Sequence, residues 1–216
     1  MSDHVDATAT TASPAGRGVY AWVVFTLLFG LMLSEYMSRQ VVTAVFPLLE
    51  QEWQLSDTQL GSLVGVVGLM VGVLALPISL LVDRYGRAFA VPLMAIAWGG
   101  ATILGGVAGS FLVLLFARVL LGAAQAAFGS AGGAILLGVF PPRLHSTVMG
   151  AFLAAALFGS VLGVALGGVI ASHYGWRIAF FVMGATALLL SAAFWLVVGK
   201  RGETPSKHRA AASAPR

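Results

Sequence analysis

Glu35, Arg39 and Arg118 are charged residues that lie within long apolar stretches of the chain. A charged side chain at membrane depth is costly, so an ionisable residue there is a functional candidate by default. Glu35 and Arg39 are four residues apart, and Arg118 and Gln125 are seven apart, so each pair shares one helix face. Together with Tyr36, these residues are predicted to line a cavity for a solute and a proton.

The depths of two of these charges suggest that they meet. At about 1.5 Å of rise per residue, Glu35 lies roughly 22 Å from the inner end of the first span, and Arg118 roughly 10 Å from the outer end of the fourth. These depths are similar in a hydrocarbon core of about 30 Å. One hypothesis is that Glu35 takes and releases a proton while Arg118 binds either Glu35 or an anionic substrate. The alternative is a static ion pair that lets the helices insert, with Arg39 extending outward.

The composition indicates an integral membrane protein. The chain has 216 residues, 59% of them hydrophobic and 9% charged, with a mean hydropathy of +0.94. Soluble domains are about 45–50% apolar and about 25% charged. The apolar segments are hydrophobic all round and longer than about 20 residues, which predicts helices rather than barrel strands.

Several classes of function are not indicated by the residues. The basic residues sit at the ends of apolar segments, which is typical of membrane orientation rather than of nucleic-acid binding. There is no phosphate-binding loop and no Ser/His/Asp arrangement, so neither ATP-driven transport nor an enzyme is predicted. The chain has no cysteine and its histidines are scattered, so neither a metal site nor a cofactor is expected; the histidines are His4, His145, His173 and His208.

Six membrane-spanning helices are predicted. A capping box formed by Ser56 and Gln59 is expected to start the second helix, and Pro77 is expected to kink that helix. The transmembrane domain is expected over 19–199, with disordered tails at 1–18 and 200–216. A polar loop is predicted at 50–57, and a loop at 172–177. The fourth span is predicted as one helix ended by two prolines, and the second as one that ends at a charged hinge at 80–87. The six spans are predicted at 19–47, from 58 to the hinge, and at 89–108, 111–140, 147–171 and 178–199.

The hinge between the second and third spans carries Asp83, Arg84, Gly86 and Arg87. So many charges in a chain this apolar indicate where it leaves the bilayer. Its short length makes the flanking helices antiparallel neighbours. The hinge either sets orientation through interfacial charge or acts as a gating loop.

The distribution of Lys and Arg predicts the orientation. An excess of these residues marks cytoplasmic loops, and the bias fits only an even number of spans. Six spans in the cell membrane with both termini in the cytoplasm are therefore predicted. One set of connections carries Arg17, Arg84, Arg87, Arg143, Lys200, Arg201, Lys207 and Arg209; the opposite set carries Glu50, Glu52, Asp57 and Arg177.

An internal similarity and a row of glycines indicate how the helices are arranged. Segment 82–89 resembles segment 172–180 at an offset of about 90 residues, as expected for two three-helix repeats of inverted topology. Trp176 and Arg177 in the second segment are interpreted as interfacial anchors. Small residues permit close helix packing in lipid, and this is favoured over a gating role for the glycines of the fifth span, Gly159, Gly163, Gly167 and Gly168.

The chain resembles the major facilitator superfamily in three segments. Residues 79–87 resemble its Gly-x-Leu-Ala-Asp-Arg-x-Gly-Arg loop, with Ser79 in place of the glycine. Leu114, Arg118 and Gly122 resemble the signature of the fourth helix, and 159–168 resembles that of the fifth. The resemblance implies a secondary transporter of a small organic solute, coupled to an ion or proton, in which Asp83 caps a helix of the other half.

Within the superfamily, segments 36–42, 55–61 and 122–126 are most similar to the Spinster-like branch. That branch usually has an acidic residue where this chain has Ser38 and another where it has Gln125.

The resemblance covers roughly residues 20–200, which corresponds to one six-helix half of a twelve-helix family. A lone half cannot enclose a pathway, so we expect a homodimer or a second six-helix half as partner, besides the solute and the bilayer. The alternative is a truncated or non-transporting membrane subunit that assembles with another membrane protein.

Overall fold

Helices make up almost all of the computed structural model, which describes residues 14–198. Six of its segments are long and apolar enough to cross a membrane, which confirms the predicted all-α fold with six transmembrane helices. The predicted tails 1–18 and 200–216 lie outside the described residues, except that the first helix already begins at Pro14. The helices are α1 Pro14–Ala44, α2 Phe46–Trp53, α3 Asp57–Tyr85, α4 Arg87–Gly106, α5 Phe111–Gln125, α6 Phe128–Val139, α7 His145–Tyr174 and α8 Trp176–Val198, with a 3-10 turn at Pro142–Leu144 before α7.

Two of the predicted spans differ from the structure because each contains a break. The first ends at Ala44, and the short helix Phe46–Trp53 follows, so residues 50–53 of the loop predicted at 50–57 are helical. Pro47 lies in the first turn of this helix, where proline is tolerated. The fourth span, predicted over 111–140, is confirmed as the apolar segment Phe111–Val139, but its helix is interrupted at Ala126 and Ala127. The glycines that follow this break lower helix propensity there.

Two single glycines replace the longer connections that the sequence suggested. Gly86 alone separates α3 from α4, and Gly175 alone separates α7 from α8. Their φ angles are +94° and +88°, a region that glycine adopts without steric cost. Each donates its N–H to the carbonyl four residues earlier, at 2.9 Å for Gly86 and 3.0 Å for Gly175. The two segments of the internal similarity therefore fold into the same joint.

The capping box is formed as expected. The backbone N–H of Ser56 donates to Gln59 Oε1 at 2.9 Å, and the backbone N–H of Gln59 donates to Ser56 Oγ at 3.4 Å. Pro77 lies within α3, which continues to Tyr85. On the same face of the protein, Ser110 caps α5 by accepting from the N–H of Val113 at 3.5 Å. These caps set where α3 and α5 begin, and so the depths of the side chains they carry.

Three of the four predicted packing glycines bring α7 against α1. A Cβ on Gly159 would lie 2.5 Å from the Leu33 carbonyl oxygen, and one on Gly163 would lie 2.8 Å from Met37 Cα. A Cβ on Gly167 would lie 3.1 Å from a Val41 methyl group. Gly168 has nothing within 4 Å of the same position, so its predicted packing role is wrong. It is one residue, and thus about 100° of helix rotation, away from the contact face.

Candidate functional site

A central cleft of about 390 Å³ opens between α1, α3 and the junction of α5 with α6. Its size falls within the usual range for small-molecule sites. Four of the five residues predicted to line a cavity do so: Glu35, Tyr36, Arg39 and Gln125. The remaining lining residues are Met32 of α1, Val71, Ala75, Leu76 and Ser79 of α3, and Ala126, Gly129 and Ser130.

Arg39 is the centre of a polar network on one side of the central cleft. Its Nε and Nη2 atoms donate to Gln125 Oε1 at 3.3 and 3.1 Å, and Nη2 lies 3.5 Å from Glu35 Oε1. The guanidinium carbon lies 5.0 Å from the centre of the Tyr36 ring, within the range of a cation–π contact. The Arg39 side chain is 22% exposed, so the cation is neutralised in part and still reaches the cleft.

Gln125 connects this network to the backbone of α1. Its Nε2 atom donates to the Glu35 carbonyl oxygen at 3.2 Å, while its Oε1 accepts from Arg39. A carboxylate at position 125, as in the Spinster-like pattern, could accept from Arg39 but could not donate to that carbonyl. The amide therefore fits the observed arrangement.

Arg118 does not lie at the central cleft. Its guanidinium donates to three backbone carbonyls, those of Leu63 at 3.0 Å, Ser38 at 3.1 Å and Arg39 at 2.6 Å. The residue is 2% exposed. The hypothesis that Arg118 pairs with Glu35 is thus not met in this structure, because Arg39 takes that position and carbonyl oxygens occupy the Arg118 donors. Arg118 joins α5 to α1 and α3.

Sequence reasoning missed how Arg118 reaches α3. A Cβ on Gly122, one turn beyond Arg118, would lie 2.8 Å from the Val67 carbonyl oxygen. The absence of a side chain there brings the two helices close, so the arginine one turn earlier reaches Leu63. The signal was present as Arg118 and Gly122 spaced four residues apart, but the carbonyl partners could not be read from side-chain types.

Several buried oxygen atoms near the network have no hydrogen-bond partner among the described residues. They are Glu35 Oε2, Ser34 Oγ and Ser38 Oγ. Glu35 is 4% exposed and Ser38 is fully buried. A buried polar atom without a partner is costly unless a water, an ion or a proton satisfies it. Among the described residues that line the cleft, Glu35 carries the one carboxylate, and one of its oxygens is thus open to a proton.

The predicted gating loop forms an ion pair within itself. Arg87 Nη2 lies 2.9 Å from Asp83 Oδ1, and both side chains are about half exposed. Arg84 is also exposed, and Gly86 supplies the joint between α3 and α4. Asp83 therefore has a local partner in this structure, and the two interpretations of the loop both remain open.

The opposite face has a polar cluster that the sequence did not reveal. Arg177 donates to both Glu52 oxygens, at 2.8 and 3.4 Å, and Trp176 Nε1 donates to Glu52 at 2.6 Å. The hydrogen bonds from Arg177, and then from Trp176, hold the pKa of Glu52 below its ordinary value of 4.5. Trp176 is 4% exposed, so the prediction that it anchors the chain in the lipid interface is wrong. The cluster fastens α2 to α8.

Residues 14–198 include no group of three or more His, Cys, Asp or Glu side chains that could hold a metal ion.

Comparison with known proteins places these features in a family. Residues 28–216 match the model of the Major Facilitator Superfamily. The chain is 29% identical over 189 residues to the "Uncharacterized transporter YybO" of Bacillus subtilis (strain 168), covering 87% of this chain and 42% of that protein. It is also 29% identical over 206 residues to an "MFS-type efflux pump" of Mycolicibacterium smegmatis (strain ATCC 700084 / mc(2)155), covering 95% and 46%. The chain thus spans less than half the length of these relatives.

Solved structures show the same relationship. A crystal structure of a bacterial homolog to the human lysosomal transporter Spinster, in an inward-facing and occupied conformation, matches with a TM-score of 0.77 and 25% identity. The match covers 82% of this chain and 44% of that one. The inward-facing, unoccupied conformation matches with a TM-score of 0.75 and 24% identity, over 86% of this chain and 43% of that one.

Proposed function

Because the chain belongs to the Major Facilitator Superfamily, whose members are carriers rather than enzymes, we propose that it is one six-helix half of a secondary active transporter. The proposed cargo is a small organic solute whose movement is coupled to a proton or another ion. The observation that carries this proposal is the central cleft, where Glu35, Arg39 and Gln125 form a buried polar network against apolar walls. Apolar clefts with a few convergent polar groups are the usual form of small-molecule sites.

The central cleft needs a second wall to become a pathway. α3 lines one side of it, yet only 11% of the apolar window of α3 is buried. Over residues 69–80 this helix has an exposed apolar stripe, in which Leu69, Val73, Leu80 and the cleft-lining Leu76 are between 59% and 77% exposed. A second copy of this chain or a separate six-helix half fits against this stripe. Asp83 would then exchange its Arg87 contact for a helix end of that partner as the gate changes state.

The location follows the same reasoning. The six apolar helices and the transporter relatives indicate a multi-pass membrane protein. The basic residues around Gly86 support a cytoplasmic position for that face. The cell membrane, with both termini in the cytoplasm, is the proposed arrangement.

Uptake into proteoliposomes tests the proposal. The purified chain is screened against labelled organic solutes with and without an inward proton gradient. Glu35→Gln removes the one carboxylate among the described residues that line the cleft, and Glu50→Gln makes the same change in α2, away from the cleft. We expect gradient-driven accumulation to be lost in the first variant and kept in the second. Unchanged proton-driven uptake by Glu35→Gln would remove Glu35 from the mechanism.

A second candidate is a non-transporting membrane subunit. The observation that favours it is the exposed apolar stripe of α3, which a different membrane protein could cover. Native gel electrophoresis separates the two. A complex with a different membrane protein, without uptake in any screen, supports the subunit. A dimer that accumulates solute supports the carrier.

A further inference from the structure

We propose that the solute is an organic monoanion bound by Arg39, and that one proton carried by Glu35 crosses with it in the same direction. This inference rests on the proposed function and adds the charge of the cargo and the direction of coupling. It follows from which ionisable groups surround the central cleft and from which of their atoms are already occupied.

Among the described residues that line the central cleft, Glu35 carries the one carboxylate and Arg39 the one guanidinium group, and Arg118 lies behind the cleft wall. Arg39 faces Glu35 from the same helix, and Arg118 reaches the α1 backbone beside it from α5. The other residues that line the cleft from α3, α5 and α6 are uncharged, and α7 carries no Asp, Glu, Lys or Arg. The remaining charges whose side chains the structure describes are outside the cleft: those of the joint at Gly86, those of the cluster at Glu52, and the exposed Glu50, Asp57 and Arg143. Glu35 is therefore the one carboxylate among the described lining residues, and a proton taken up in the cleft is assigned to it.

Arg39 has a donor left for an anion. Its Nε and Nη2 atoms are engaged with Gln125 and Glu35, whereas Nη1 has no hydrogen-bond partner among residues 14–198. The guanidinium borders the cleft and is supported from below by the Tyr36 ring. A carboxylate, sulfonate or phosphate ester could accept from that atom in a charge-assisted hydrogen bond.

Protonation of Glu35 and binding of an anion favour one another. While Glu35 is ionised, an anion on Arg39 faces a carboxylate that already lies 3.5 Å from the same guanidinium. Once Glu35 takes a proton, the described partners that Arg39 retains, the Gln125 amide and the Tyr36 ring, are both uncharged. An uncompensated cation in a low-dielectric site is unfavourable, and a bound anion offsets it. By linkage, each ligand raises the affinity of the other by the same factor, so proton and anion load together and leave together.

The balance of charge sets the stoichiometry. Glu35 gains one positive charge when its carboxylate becomes a carboxylic acid, and the monoanion supplies one negative charge. The loaded cleft therefore has the same net charge as the empty one. The apolar walls provided by Met32, Val71 and Leu76, and a volume of about 390 Å³, fit a compact organic ion with an apolar body.

Binding of an anion that stays ionised at every accessible pH tests the inference. The probe is 2-naphthalenesulfonate, compared with neutral 2-naphthol and with a naphthylmethyl trimethylammonium cation of the same ring system. Affinity for the purified chain in nanodiscs is measured by calorimetry at acidic and alkaline pH, and proton uptake is followed with a pH dye in weakly buffered solution. The sulfonate does not titrate, so any proton taken up belongs to the protein.

The expected results are specific to each variant. In the wild type, the sulfonate binds at least about tenfold more tightly than the other two probes, binding weakens as pH rises, and protons are taken up. Glu35→Gln keeps sulfonate binding but loses both proton uptake and pH dependence. Arg39→Gln weakens binding by about tenfold or more, the value of one charge-assisted hydrogen bond. Glu50→Gln and Arg143→Gln, which make the same substitutions at exposed positions, behave as the wild type.

Three outcomes would overturn the inference: no sulfonate binding, equal or tighter binding of the neutral or cationic probe, or proton uptake that persists in Glu35→Gln. Uptake assays distinguish a failure of the monoanion inference from a failure of the proposed transport function. Proton-driven accumulation of a cation or neutral solute would leave the transporter standing and refute the anion. Proton-linked sulfonate binding in a chain that transports nothing, alone or with a second half, would support the site and refute the carrier.

Discussion

The glycines of α7 allow a graded test of the packing between α1 and α7. An alanine Cβ at position 159 would lie 2.5 Å from the Leu33 carbonyl oxygen and 3.0 Å from Tyr36 Cβ. Ordinary contacts begin at 3.4 Å, so the two helices would have to separate locally by roughly 1 Å. Overpacking of this kind costs about 1–3 kcal/mol. We expect Gly159→Ala to lower the free energy of unfolding by that amount.

The neighbouring glycines of α7 should lose stability in the order of the space around each of them, and one of them serves as a control. Gly163→Ala meets Met37 backbone atoms at 2.8 and 2.9 Å and should cost nearly as much. Gly167→Ala meets a side-chain methyl group at 3.1 Å, which can shift, so its cost should be smaller. Gly168→Ala meets nothing within 4 Å and should be neutral or slightly stabilising, because alanine favours a helix over glycine by about 1 kcal/mol.

The assay is unfolding of the purified chain in mixed micelles by titration with SDS, followed by circular dichroism and tryptophan fluorescence. Uptake or ligand binding measured on the same samples reports whether displacement of α1 also disturbs Tyr36. Equal stabilities for Gly159→Ala and Gly168→Ala would refute the packing described for α7. So would a larger loss for Gly168→Ala than for Gly163→Ala.

The same titration tests other parts of the structure. Arg118→Met removes three interhelical hydrogen bonds, each worth about 0.6–1.7 kcal/mol in membrane proteins, so we expect the free energy of unfolding to fall by about 2–5 kcal/mol. A variant as stable as the wild type would show that Arg118 does not hold α5 against α1 and α3. Gly175→Ala, at φ +88°, should cost about 1–3 kcal/mol, and Gly150→Ala, with open space around it, should not; equal effects would remove the argument from φ. Folding lowers the pKa of Glu52, so ionised Glu52 stabilises the folded chain. This stabilisation is present above the ordinary pKa of 4.5 and is lost as pH falls through the pKa that Glu52 has in the folded chain. Glu52→Gln should therefore destabilise the chain at neutral pH and lose this effect in acid, and a difference from wild type that persists in acid would contradict the sign.

The sequence predicted those features that depend on local pattern. The number of spans follows from apolar length, and the capping box at Ser56 follows from residue types three apart. The choice between Gly167 and Gly168 could not be made, because it depends on the rotation of α7 about its axis. The partners of Arg118 are carbonyl oxygens, which every residue carries and no residue type reveals.

Contacts between residues that are far apart in the sequence could not be predicted either. Glu52 and Trp176 are 124 residues apart, and only the folded bundle brings them together. The network at Arg39 lies between these cases. The spacing of Glu35 and Arg39 predicted that they share one helix face, but the predicted partner of Glu35 was Arg118. The contact of Arg39 with Gln125 required the depth of α5 relative to α1.

The two glycine joints have the same shape but are braced differently. At the Gly86 joint the ion pair of Asp83 and Arg87 stays within one three-helix repeat, whereas at the Gly175 joint Arg177 crosses to Glu52 of the other repeat. Separation of the repeats at the Gly175 end must therefore break the ion pair in which Arg177 donates to both oxygens of Glu52. Among residues 14–198, no ion pair resists the same movement at the Gly86 end. We therefore expect the two repeats to separate more readily at the Gly86 end than at the Gly175 end.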